Sequence, residues 1–139
     1  MKKKLMRCAA LTLALLMLQV SVFATAKASE VIRRTTASAA AIGNGEVSFD
    51  FFITGTKKLE QIGVSKIEIY SKSEGLLVTY RYFDDGYEHM MGYDEYAYGN
   101  AVVYEGEPGE SYYAKLTFYA YDGTIADMDT YITSSAEAY

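Results

Sequence analysis

The chain has 139 residues, with 13 Lys and Arg against 18 Asp and Glu and a formal net charge of −5. It carries 14 Tyr, six Phe, no Trp, one Pro and one Cys. One cysteine excludes a disulfide scaffold and a cysteine-built metal site, and the acidic balance argues against nucleic acid as a partner.

Met1-Lys2-Lys3-Lys4 and Arg7 open the chain, and an apolar run follows from Cys8 to Phe23. Ala24-Thr25-Ala26 and Ala26-Lys27-Ala28 come next. A positive start, a short apolar run and an Ala-x-Ala site predict a secretory signal peptide. The run is shorter than the roughly 20 residues a spanning helix needs. Cys8 stands at the start of the run and not after it, so it is not placed as a lipoprotein cysteine. Cleavage is expected after Ala28 or Ala26, with Ala24 as an alternative. Residues 1–28 are then the signal and 29–139 a single domain. Losing Lys2, Lys3, Lys4, Arg7 and Lys27 lowers the basic count from 13 to 8 against 18 acids, a net charge of −10. The product is expected outside the cell, with no membrane span after cleavage, and repelled by anionic cell-wall polymers. Cys8 leaves with the signal, so the core must hold without a covalent staple.

Val31 to Thr36 reads as an edge strand and Ser38 to Gly45 as a small-residue connection. Val47, Phe49, Phe51 and Ile53 alternate with polar residues, the pattern of a half-buried strand. Ile67 and Ile69 alternate likewise. Val64 has the opposite parity, which predicts a bulge or a strand start near Ser65. Leu76-Val78-Tyr80-Tyr82 predicts another strand. Asp84 to Asn100 is expected as a long loop, with a hidden strand pair as the alternative, and 101–104 as a short strand. Tyr112, Ala114, Leu116, Phe118 and Ala120 form the clearest inward face. The last strand is expected to turn Met128, Thr130 and Ile132 inward and Asp127, Asp129, Tyr131 and Thr133 outward. An odd connection such as Asp122-Gly123-Thr124 would pair Phe118 with Met128, Leu116 with Thr130, Tyr119 with Asp127 and Lys115 with Tyr131. Short alternating strands without a helical pattern predict an all-β antiparallel sandwich of about seven strands.

Pro108-Gly109-Glu110-Ser111-Tyr112-Tyr113-Ala114-Lys115-Leu116 resembles the entry to strand F of fibronectin type III and related immunoglobulin-like sandwiches. The resemblance implies that Tyr112 is a corner tyrosine whose hydroxyl bonds nearby backbone. The tryptophan of those domains is missing, so Phe49 or Phe51 would fill its space. Ile62-Gly63-Val64-Ser65-Lys66-Ile67-Glu68-Ile69-Tyr70, Met90-Met91-Gly92 and Tyr112 through Ala120 also resemble short uncharacterised secreted proteins of Gram-positive bacteria. That likeness implies a fold and a location but no activity. Phe49, Phe51, Tyr112, Leu116 and Phe118 are the expected structural residues.

Motifs for catalysis are sparse. His89 is the sole histidine, with no Gly-x-Ser-x-Gly elbow and no mature cysteine to partner it. Asp84, Asp85, Glu88, Asp94 and Glu95 could supply a glycosidase pair, but loop spacing fixes no carboxylate separation. Asp84-Asp85-Gly86 and Asp127-x-Asp129 offer hard oxygens for calcium without a complete loop, and a turn explains Asp84 and Asp85 as simply. No cofactor is expected. Two tyrosine groups carry the functional reading. Tyr113, Tyr119, Tyr121 and Tyr131 are expected on one outer sheet face, and Tyr93 and Tyr96 lie in the 84–100 segment. The expected function is a secreted, non-enzymatic binding module for a glycan or a protein. The alternatives are a structural, self-associating protein and a small glycoside hydrolase.

Overall fold

The computed structural model describes residues 29–139; the expected signal peptide lies outside the described residues. The described chain is all-β: one antiparallel sheet of seven strands and a single 3-10 turn at Glu88–Met90. The strands are β1 (Ile32–Gly43), β2 (Glu46–Ser71), β3 (Gly75–Arg81), β4 (Met91–Glu105), β5 (Ser111–Tyr121), β6 (Ala126–Ile132) and β7 (Ala136–Glu137). No helix among the described residues is long and apolar enough to cross a membrane.

β2 organises the molecule. Its 26 residues pair with β1 along the first half, with β4 on both sides of the middle, and with β5 and β3 along the second half. Between the halves, residues 55–58 stand against a single β4 residue, Tyr96. Such an excess on one strand bends it sharply. A Cβ on Gly55 would sit 2.6 Å from Leu59 Cδ1 and 2.9 Å from the Lys57 carbonyl, so the corner needs glycine. The bend brings Phe51 of the first half edge-on to Phe118 of β5, ring centroids 6.4 Å apart.

Alternation sets the core. Val47, Phe49, Ile53, Ile62, Val64, Ile67, Ile69, Leu116 and Phe118 are fully buried, and Phe51 and Tyr112 nearly so. Each such side chain stabilises the fold by about 1.5–3 kcal/mol relative to exposure. Of the bulge or strand start expected near Ser65, the bulge is present: the β2–β5 register shifts between Val64 and Lys66. Tyr112 accepts the Glu107 N–H on its hydroxyl at 2.8 Å, closing the turn into β5.

Three expectations are corrected. Ser38–Gly43 is strand, not connection, because Ala37, Ala39 and Ala41 fit opposite Phe51, Phe49 and Val47. The turn is only Asn44-Gly45, both at positive φ, as a two-residue hairpin of this twist requires. The 84–100 segment is neither a long loop nor a strand pair. Its second part, 91–100, is the start of β4, disguised by Gly92, Gly99 and an Asp94 held at φ 57°. The β5–β6 connection spans the four residues 122–125, so the expected odd register is wrong by one. The Asp122 carboxylate accepts the N–H groups of Thr124 and Ile125 at 2.9 and 2.7 Å and fixes that even turn. The polar C-terminal residues also join the sheet: β7 pairs with Ser111 and Tyr112, and Ala138 is buried.

Candidate binding face

The one-residue register change re-sorts the last strand. Phe118 lies opposite Asp129, Leu116 opposite Tyr131, Tyr119 opposite Met128 and Lys115 opposite Ile132. Met128 and Ile132 therefore face outward, 70% and 61% exposed, where Asp127, Asp129 and Tyr131 were expected. Tyr131 turns to the core side and packs on it, and Thr133 is buried, its hydroxyl oxygen accepting the Ala114 N–H at 3.0 Å.

The outward face is built row by row from cross-strand pairs. Tyr93, Gln61 and Tyr121 form one row across β4, β2 and β5. Gly63, Tyr119 and Met128 form the next, across β2, β5 and β6. Arg81, Lys66, Thr117 and Thr130 follow, then Thr79, Glu68, Lys115 and Ile132. Leu76, Tyr70 and Tyr113 close it. Tyr70 and Tyr113 stack in parallel with centroids 5.0 Å apart. Lys66 Nζ and Glu68 Oε2 are 3.4 Å apart, pairing the charges in the middle of the face. Tyr121 donates its hydroxyl to the Gly123 carbonyl at 2.8 Å, which holds the ring toward the Asp122 turn. Burial pushes the Tyr119 hydroxyl pKa up, with Tyr121 and Tyr82 adding to it. The Tyr119 phenol therefore stays a neutral donor at physiological pH.

Of the six expected binding tyrosines, Tyr113, Tyr119, Tyr121 and Tyr93 come together on this face. Tyr131 does not, and Tyr96 stands in the irregular stretch opposite 55–58, 64% exposed. Sequence reasoning missed Met128, Ile132, Leu76 and Tyr70. The available signal was Asp122: an Asx side chain that caps its own turn predicts an even connection as readily as Asp-Gly predicts a tight one.

The other candidate groups have local structural roles. Asp84 Oδ2 accepts the Arg81 N–H at 2.7 Å inside a turn whose Asp84 carbonyl accepts Tyr87 N–H at 3.0 Å. His89 Nε2 lies 3.0 Å from the Ala101 carbonyl, which can only accept, so that nitrogen carries the proton. Its ring faces Tyr87, at 6.3 Å between centroids. Asp127 and Asp129 accept hydrogen bonds from the start of the described chain and from β1. Among the described residues no group of three or more His, Cys, Asp or Glu is arranged to hold a metal ion.

Away from the face, a cavity of about 350 Å³ opens between the β2–β3 turn and the β4–β5 connection. Glu74, Glu105, Glu107 and Glu110 line it beside Tyr104 and Tyr112. Hydrogen bonds from Ser73 above all hold the Glu110 carboxyl below its ordinary pKa, and burial pushes Tyr104 up. Its potential is negative, so an anion would be rejected there.

The chain matches no protein-family model, no curated protein and no solved structure.

Proposed function

We propose that the chain is exported, and that residues 29–139 form an immunoglobulin-like β-sandwich acting as a non-enzymatic extracellular binding module. Its contact surface is the outward face of β3, β2, β5 and β6, and its partner is a protein. The bend at 55–58 supports the two-layer reading, since it lets one strand serve both layers. The Tyr112 hydroxyl bond to the Glu107 N–H supports the immunoglobulin-like reading. Sharing a strand between layers departs from that fold, whose two sheets use separate strands.

The observation that carries the function is the register of β6. It puts Met128 beside Tyr119 in place of the expected Asp127, and Ile132 beside Lys115 in place of the expected Tyr131. A sugar ring wants hydrogen-bonding carboxylates next to its stacking aromatic. Here the outward neighbours are aliphatic, and the charges Lys66 and Glu68 are paired with each other. Tyrosine and methionine around one ion pair, Lys66 with Glu68, fit the composition of a protein interface centre. The test is a surface-protein array probed with the exported protein, beside a glycan array. A protein ligand that weakens when Tyr119 becomes Ala and Ile132 becomes Lys supports the reading. A glycan ligand, or self-association seen as concentration-dependent sedimentation, contradicts it.

A further inference from the structure

β1 is an edge of the sheet and β6 another, and no ladder pairing joins them among the described residues. Side chains make their junction. Asp127 Oδ2 on β6 accepts the Ser29 hydroxyl at 2.6 Å, the Glu30 N–H at 2.8 Å and the Val31 N–H at 3.1 Å. Further along, Thr35 Oγ1 donates to Asp129 Oδ2 at 2.6 Å. The same short segment is gripped from β2 at the corner: Thr56 donates its N–H to the Val31 carbonyl and its hydroxyl to the Glu30 carbonyl, each at 3.0 Å. Ser29 Oγ also accepts the Ile32 N–H at 2.7 Å, and Val31 is fully buried. Three consecutive residues, Ser29 to Val31, thus tie β1 to β6.

A carboxylate already holding three donors gains further from a nearby full positive charge. In a serine the backbone nitrogen lies about 3 Å from Oγ, so the Ser29 nitrogen is within about 6 Å of the Asp127 carboxylate. That is inside the range where opposite charges favour each other's ionised forms. In an uncut chain this nitrogen is a neutral amide. We propose that the chain is processed between Ala28 and Ser29, and that the α-ammonium so created pairs with Asp127 and completes the clasp between β1 and β6. The step is hydrolysis by a signal-peptidase-type protease. Water adds across the Ala28–Ser29 amide, the C–N bond breaks, and Ala28 leaves with a carboxylate while Ser29 keeps a protonated amine. Of the three Ala sites, only a cut after Ala28 puts the new charge on Ser29. A cut after Ala26 puts it two residues upstream, and one after Ala24 puts it four upstream. The proposal rests on the reading of 1–28 as an export leader.

The test begins with the full precursor exported from a bacterial host and the intact mass of the released protein. A product starting at Ser29 is expected; one starting at Lys27 or Thr25 overturns the site. A second precursor carries two glycines inserted between Ala28 and Ser29, so that its product keeps Asp127 but moves the ammonium away. Its melting temperature should fall by about 2–5 °C. In an Asp127→Asn background the gap between the two products should vanish. Equal melting of the two wild-type products, or an unchanged gap with Asp127→Asn, overturns the pairing. If Asp127→Asn does not fold, the wild-type pair alone decides. A failed partner screen on the tyrosine face leaves the mass and melting results untouched, so the two readings fail separately.

Discussion

The two halves of β2 bury the same kind of surface and expose different ones. Inward, Val47, Phe49, Phe51 and Ile53 of the first half match Ile62, Val64, Ile67 and Ile69 of the second. Outward, the first half presents rows such as Ser38, Asp50 and Ala101, with Ile42 and Val103 about half exposed. Its one large outward ring, Phe52, lies over Gly99, where a Cβ would come within 2.8 Å of it. The second half presents Tyr70, Tyr113, Tyr119 and Tyr121, with Met128 and Ile132 beyond them. Both surfaces satisfy the same strand and the same pleat. Most of the folding energy comes from the inward side. Cross-strand aromatic pairs add only about 0.2–1 kcal/mol each.

The largest expected effect tests whether the halves are one body. Phe118→Ala removes the ring that meets Phe51 across the bend, and should cost about 3–5 kcal/mol. Urea unfolding should remain a single transition that moves to lower denaturant. Two separated transitions would break the comparison at its base, since the halves would then be independent units.

Next comes the turn that feeds the second half. Tyr112→Phe deletes the acceptor for the Glu107 N–H and should cost about 1–2 kcal/mol by the same measurement. No matching loss is expected from Thr36→Val on the smooth outward side.

The Asp122 turn sets the register of the tyrosine face, and pH probes it. Hydrogen bonding from the Ile125 N–H above all, then the Lys57 ammonium and the Thr124 N–H, lowers the Asp122 carboxyl pKa to about 2 from an ordinary 3.8. A depressed folded pKa gives stability that is complete above the unfolded value and lost as pH falls through the folded one. Wild type should therefore exceed Asp122→Asn in thermal stability above about pH 4, and the gap should close between about pH 4 and 2. A gap that is constant down to pH 2 would mean the carboxylate is not what holds the turn.

The smallest stability effect should accompany the largest binding effect. Ile132→Lys on the tyrosine face should change stability by no more than about 0.5 kcal/mol, as an exposed substitution. Partner affinity should fall at least about tenfold, the cost of a charge at an apolar interface centre. Phe52→Lys on the other outward side should leave affinity unchanged.

Much of the inward side was legible in the residues. Period-two alternation marked Phe49, Phe51, Leu116 and Phe118, and a parity break at Val64 marked the bulge at Ser65. The outward side was legible only in part. Tyr113, Tyr119 and Tyr121 follow from the β5 alternation, but their β6 neighbours depend on loop parity. Asp122 favoured four residues over three through its own side-chain hydrogen bonds. β1 escaped because alanine reads as a poor strand former, although Ala37 and Ala39 pair opposite Phe51 and Phe49. The first part of β4 escaped because two glycines and a left-handed Asp94 interrupt its alternation. The bend at 55–58 has no period at all, and it determines which strands share a face.

The most direct measurement places a photo-activated cross-linking residue at position 128 or at position 52 of the exported protein, in the presence of the protein ligand found on the array. Adducts at 128 and none at 52 are the predicted result. Adducts at 52, or a ligand bound tightly with no adduct at 128, would contradict the assignment of the contact to the tyrosine face.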